Sequence, residues 1–214
     1  MMTLDSLLKL LKKALVQRVF ILAAAITVNG SVYCQTADSM PDKEQLLIAL
    51  EYFGSGKYQE ALNLLVRLDK KYKLNPRFKA YIGVCYYYTW NYAMACKYID
   101  PQLEKLEVYA PHERSVYYFA DAESHFILEE YTKAIPVYEM ALNVCYNNEK
   151  GDILFKLAYC NMSKGEWQNA LDNLDASLAY YEKFGYPENK EARVVQIKKM
   201  AKGCKEEIKK KYTK

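Results

Sequence analysis

An alanine recurs at positions 61, 95, 134 and 170, and three places before each stands a large aromatic residue: Tyr58, Tyr92, Tyr131 and Trp167. The stretches that carry them read "GKYQEALNLL", "WNYAMACKYI", "EEYTKAIPVY" and "GEWQNALDNL", at intervals of 34, 39 and 36 residues. Twelve positions before each alanine lies a second small residue, Ala49, Gly83, Ala122 or Ala158. Nine before it lies Tyr52, Tyr86, His125 or Asn161. Agreement in four registers marks an internal repeat. A repeat of this length is one supersecondary unit that cannot bury its apolar face alone, so successive units must stack.

Each unit reads as two helices. The expected pairs run from Lys43 to Phe53 and Tyr58 to Tyr72, then Arg77 to Tyr88 and Tyr92 to Tyr109. The next run from Arg114 to Leu128 and Tyr131 to Cys145, then Asp152 to Ser163 and Trp167 to Lys183. Connections as short as "GSGK" and "SKGE" make the two helices of a pair antiparallel neighbours. Small residues such as Gly83 and Ala95 then let the two backbones approach where larger side chains would hold them apart. The fold class expected is all-α, a stack of antiparallel helical hairpins over residues 42–186.

These four units resemble the tetratricopeptide repeat family. The likeness rests on "IALEYFGSGKYQEALNLL", "IGVCYYYTWNYAMACKYI", "DAESHFILEEYTKAIPVYEMAL" and "LAYCNMSKGEWQNALDNL". The resemblance implies a right-handed superhelical solenoid closed by a C-terminal capping helix. His125 and Asn161 stand where the family favours tyrosine, and the proline that often ends a repeat is mostly missing, Pro76 being near one such boundary. In the family the first helix of each pair lines the inner surface. Carried onto this chain, that surface would comprise Leu46, Leu50 and Phe53, then Ala80, Val84 and Tyr87. Phe119, Glu123 and Phe126 would follow, and after them Phe155, Tyr159 and Met162. Family members that clamp acidic C-terminal peptides use lysine and asparagine on this face. Leu46 and Leu50 take the matching first-repeat places, which speaks against that activity.

The 39-residue interval contains "YIDPQLEKLEVYAPHERS". Pro101 lacks the amide proton a helix needs, so the helix should kink or restart after Asp100. The extra residues either bend the second helix and alter the local pitch, or ride outside the stack.

The two ends differ from the repeats. Lys9, Lys12, Lys13 and Arg18 precede the uncharged run "VFILAAAITV", and "NGSVYCQT" follows. A basic stretch, a short apolar core and a polar exit describe a secretory signal peptide over residues 1–34. Cleavage there would leave Gln35 as the first residue of a short segment, 35–41; lipidation of Cys34 is the competing outcome. Export to the periplasm or cell envelope is expected. Residues 1–34 hold four of the 30 basic and one of the 26 acidic residues, leaving 26 and 25. Overall charge therefore gives no reason to expect a nucleic-acid partner. Residues 187–214 read as a capping helix with a basic tail: Val194, Ile197, Ala201, Cys204 and Ile208 make one apolar stripe among lysines.

Chemistry has few candidates. No HExxH, CxxC, GxSxG or phosphate-cradling glycine loop is present, and the two histidines, His112 and His125, are far apart in sequence. Neither an enzyme nor a cofactor or metal site is expected. A protein or peptide partner in the aromatic inner face is the leading expectation, and a second copy of the chain is among the candidates. Each aromatic ring buries about 150–250 Å², at about 25 cal/mol per Å². The alternative is contact with an anionic surface through the C-terminal lysines, and membrane association is open only by that route or through a lipidated Cys34.

Overall fold

The computed structural model describes residues 40–185 and 190–213. The expected leader, the Cys34/Gln35 exit and the boundary residue Pro187 lie outside these residues. The chain divides into two compact units, Met1–Ile48 and Ala49–Lys214. Within the described part of the first, the Gln45 amide donates to the Met40 carbonyl at 2.6 Å.

Among the described residues nine α-helices follow one another and there is no strand: α1 (Asp42–Gly54), α2 (Tyr58–Tyr72), α3 (Pro76–Tyr88), α4 (Tyr92–Ile99), α5 (Pro111–Ile127), α6 (Tyr131–Val144), α7 (Lys150–Ser163), α8 (Trp167–Phe184) and α9 (Lys190–Tyr212). The expected helices are present, except that the second helix of the second pair, expected to reach Tyr109, ends at Ile99. Within the second unit α3 pairs with α4, α5 with α6, and α7 with α8, while α2 packs on α3, α4 on α5, α6 on α7 and α9 on α8. First helices also meet directly, α3 against α5.

Local sequence explains the helix ends. Pro76 starts α3 where its missing N–H is no loss, and the Asn75 side chain accepts from the Phe78 amide at 3.2 Å. Asn91 caps α4 in the same way, accepting from Met94 N–H. All four turns inside the hairpins use one backbone device. The amides of Lys57, Asn91, Glu130 and Glu166 donate to the carbonyls of Tyr52, Tyr86, His125 and Asn161. One residue earlier, the amides of Gly56, Trp90, Glu129 and Gly165 donate to Phe53, Tyr87, Phe126 and Met162. These are Schellman caps, which require a left-handed residue at the turn. Gly56 and Gly165 supply it freely at φ +72° and +74°, whereas Trp90 and Glu129 adopt φ +63° and +59° with side chains attached.

The repeating alanines are the inner seams. Ala49, Ala61, Ala95, Ala122, Ala134, Ala158 and Ala170 are all fully buried. At Gly83 a β-carbon would lie 2.3 Å from Ile99 Cγ1 and 3.2 Å from the Ala95 carbonyl oxygen, so α3 and α4 touch with no side chain between them. Gly151 does the same under Tyr181, whose ring would stand 2.6 Å from an added β-carbon.

The long interval resolves as a break with a buried purpose. Helix α4 stops at Ile99, and a 3₁₀ helix, Asp100–Val108, continues from Pro101. Leu106 within it is fully buried in the main core beside Ile99, Val84 and Tyr117. The inserted residues are therefore part of the packing between α3, α4 and α5 rather than an outer decoration. A second core joins α7, α8 and α9 through Phe155, Leu174, Tyr181, Ile197 and Cys204, so α9 closes the stack with the apolar stripe read from its sequence.

Candidate functional site

The first helices α3, α5 and α7 expose an aromatic face around a cavity of about 370 Å³. Tyr87 and Tyr88 of α3 form one wall, and Val116 and Phe119 of α5 form the floor. Glu149 and Asp152 at the start of α7 bring carboxylates to the far side. Tyr88 and Val116 are 49% and 42% exposed, large for apolar side chains inside a concave wall. The Tyr87 ring meets Tyr88 edge-on at 5.0 Å. Burial, then the nearby charges of Glu123 and Tyr88, push its hydroxyl up to about 12, so it is a neutral donor at any physiological pH.

The face continues along α5 into α7. Phe126 packs edge-on against Tyr159 at 5.2 Å, and Tyr159 is 42% exposed. Lys156 lies over the Phe126 ring at 4.3 Å and donates to Glu123 Oε2 at 2.8 Å. The other Glu123 oxygen accepts from Tyr138 Oη of α6, whose proton is held tightly by burial and by the Glu123 charge. The Glu123 carboxylate is thus satisfied from both sides. Beyond the cavity, Arg77 of α3 grips Glu113 of α5 through two bonds of 2.6 and 2.9 Å, with Tyr117 Oη donating to the same carboxylate at 2.6 Å. This fork fixes the two first helices that carry the wall.

Of the expected inner-surface residues, Tyr87, Phe119, Glu123, Phe126 and Tyr159 come together. Ala80 and Val84 do not offer surface: both are sealed in the core, because α3 packs on α5 and their side chains fill that seam. Phe155 is likewise buried, since α9 lies where another hairpin would follow and Arg193 covers the ring at 4.3 Å. Met162 packs into the same second core near Trp167. Leu50 and Phe53 are half-buried, the latter stacked on Tyr81 at 4.5 Å. Leu46 is half-buried in the N-terminal unit.

A second constellation sits on the opposite side of α5. His125 is buried, with Nδ1 2.7 Å from Glu130 Oε2 and Nε2 3.0 Å from Asp100 Oδ1. Burial opposes its charge, but hydrogen bonding to Asp100, Cys96 and Glu130 outweighs that and pushes the imidazole up to about 11. Asp121, one turn earlier, is completely buried, and neither of its oxygens has a hydrogen-bond partner. Burial and the adjacent Asp100 charge push its carboxyl up to about 8. Donor atoms of Cys96, Asp121 and His125 all lie within 4.8 Å of one another.

No family model and no curated protein sequence matches the chain. Among solved structures it is similar to MamA of AMB-1 in two crystal forms, each at TM-score 0.57. Identity is 19% with 67% of this chain and 81% of that chain covered in one, and 18% with 78% and 93% in the other. MamA from Desulfovibrio magneticus RS-1, spanning 41 to its end, gives 0.53 at 15% identity, covering 79% and 92%. The likeness is one of fold. It supports the all-helical fold expected from the four repeated phrases.

Sequence reasoning missed Tyr88, Val116 and Lys156 at the exposed face. The positions carried over from the family include Phe155 and pass over its neighbour Lys156, yet it is Lys156 that lies over the Phe126 ring. It also missed the His125 cluster. The signal was two pairs at i, i+4 spacing, Cys96 with Asp100 and Asp121 with His125, one from each of two helices that pack together.

Proposed function

We propose that the chain is a non-catalytic protein-binding module that accepts a peptide or protein segment in the aromatic face of α3, α5 and α7. The observation that carries this reading is exposed Tyr88 and Val116 lining a cavity of about 370 Å³, with exposed Tyr159 against Phe126 further along the face. Large apolar groups in a concave wall bind by burying a complementary anchor side chain. Glu149 at one edge favours a basic residue beside that anchor, whereas Asp152 is already engaged by Tyr181 Oη at 2.6 Å and Arg193 at 3.5 Å. The fold likeness to a repeat protein is consistent with binding rather than turnover. Export to the periplasm or envelope belongs to the same proposal and rests on the leader-like residues 1–34 alone. Sequencing the N-terminus of the mature protein distinguishes Gln35 from a lipidated Cys34.

Selection of a displayed random-peptide library against the full chain tests the groove. Recovered peptides should carry an aromatic or long aliphatic anchor next to lysine or arginine. Tyr88→Ala and Tyr159→Ala alter exposed side chains, so the fold should survive while affinity falls about 5- to 30-fold for a loss of about 1–2 kcal/mol each. The reading fails if the selected peptides ignore both substitutions. It fails equally if binding is abolished by modest salt and by removing the lysines of α9, which would make the tail the site.

A further inference from the structure

We propose that Cys96, Asp121 and His125, with Asp100 as fourth ligand, form a binding site for a transition-metal dication of the zinc class. Two packed helical segments present the four groups as two i, i+4 pairs, so each pair shares a face and the faces meet at the cluster. The break at Pro101 matters here, because it ends α4 and sets Asp100 at the head of the 3₁₀ helix, 3.0 Å from His125 Nε2.

An ion pair between His125 and its two carboxylates explains only part of this cluster. It leaves Asp121 fully enclosed with both oxygens unpaired, next to a thiol that is itself buried. An uncompensated buried carboxyl of this kind is expensive and rare. A dication between thiolate, imidazole and the two aspartates would satisfy every one of these groups. The mixture of sulfur, nitrogen and oxygen donors suits zinc in tetrahedral coordination, with bonds of about 2.0–2.3 Å. Donors now within 4.8 Å would draw in by about an ångström to reach those lengths. The outer shell is already in place. With Nε2 on the metal, Nδ1–H donates to Glu130, which is in turn held by Lys133 Nζ at 3.1 Å. Metal-binding imidazoles are commonly oriented by a carboxylate in this manner. Asp100 is 44% exposed at its side chain and provides the way in from solvent. On binding, the Cys96 thiol, the Asp121 carboxyl and the imidazolium each release a proton to bulk water.

Titration of the full chain with Co²⁺ under a non-thiol reductant tests the site directly. One equivalent should produce a thiolate-to-cobalt charge-transfer band and the strong visible bands of a tetrahedral ion, and one equivalent of Zn²⁺ should remove them. Cys96→Ser should eliminate the charge-transfer band, while Cys34→Ser and Cys145→Ser keep it. Glu130→Gln, which touches no metal, should lower Zn²⁺ affinity by about 10- to 100-fold. His125→Tyr restores the residue type found at Tyr52 and Tyr86, and should fold while losing more affinity than Glu130→Gln. The absence of a charge-transfer band in the unsubstituted chain overturns the proposal, as does a band that survives Cys96→Ser. The first result needs no variant and so does not depend on any substituted protein folding.

Discussion

Replacing Gly83 by alanine probes the contact on which the hairpins depend. The new methyl would stand 2.3 and 2.8 Å from Ile99 Cγ1 and Cδ1, and 3.2 Å from the Ala95 carbonyl oxygen. Ile99 is fully buried, so its branched carbon has nowhere to retreat and the two helices must part. Overpacking a tight core costs about 1–3 kcal/mol, while alanine gains about 1 kcal/mol over glycine in a helix interior. With a backbone oxygen among the crowded atoms the upper part of the range applies, and the net loss should be about 2 kcal/mol. For a chain of this size that lowers the melting temperature by about 4–8 °C. The decisive measurement is the same substitution made in an Ile99→Ala background. Ile99→Ala alone should cost about 2–5 kcal/mol by leaving a cavity. There the added methyl meets no branched carbon and only the Ala95 oxygen at 3.2 Å remains close, so Gly83→Ala should cost far less than about 2 kcal/mol and approach neutrality, the helix gain of about 1 kcal/mol offsetting that contact. Urea unfolding followed by far-UV circular dichroism gives all four values. Stabilisation of the otherwise unsubstituted chain by Gly83→Ala, or strict additivity of the pair, would refute the argument that a missing side chain sets the distance between α3 and α4.

Trp90→Gly and Glu129→Gly should each stabilise the chain by about 1 kcal/mol, because both residues occupy left-handed turn positions at which a β-carbon is strained; urea midpoints are the readout. Glu123→Ala strips the acceptor from Tyr138 Oη and Lys156 Nζ together and should lose about 2–3 kcal/mol in urea unfolding. Glu123→Gln should recover part of that loss by keeping the tyrosine bond. Burial pushes the Cys85 and Cys160 thiols up to about 12. Among the described cysteines, half-buried Cys145 should therefore label first with a thiol reagent near pH 8, and Cys85 and Cys160 only on unfolding, as mapped by peptide mass spectrometry.

The helical pairs were legible because small and aromatic residues recur at fixed offsets, and those offsets report contacts within a hairpin. Contacts between hairpins follow no such rule. Phe155 and Tyr159 lie one turn apart on α7, yet Arg193 covers the first while the second stays open. Nothing in the local sequence separates them, because the covering group comes from a helix more than thirty residues later. Ala80 and Val84 are similar: their burial depends on α5 arriving against α3, an approach fixed by the Arg77–Glu113 fork. The cluster around His125 was hidden for a different reason. Its members belong to two modest pairs, neither of which spells a familiar metal or catalytic pattern, and only the folding of α4 against α5 makes them one group.

The same backbone cap closes every hairpin even though the repeat interval changes from 34 to 39 residues. The chain thus treats its bends and its joints differently. A bend is a fixed grammar of two donors and two acceptors that tolerates a tryptophan in place of glycine but admits no additional residue. A joint between hairpins absorbed the surplus of the second interval and turned it into the 3₁₀ helix that seats Leu106 and aims Asp100. Length variation in proteins built this way should accordingly collect at the joints, and new chemistry should be sought there first.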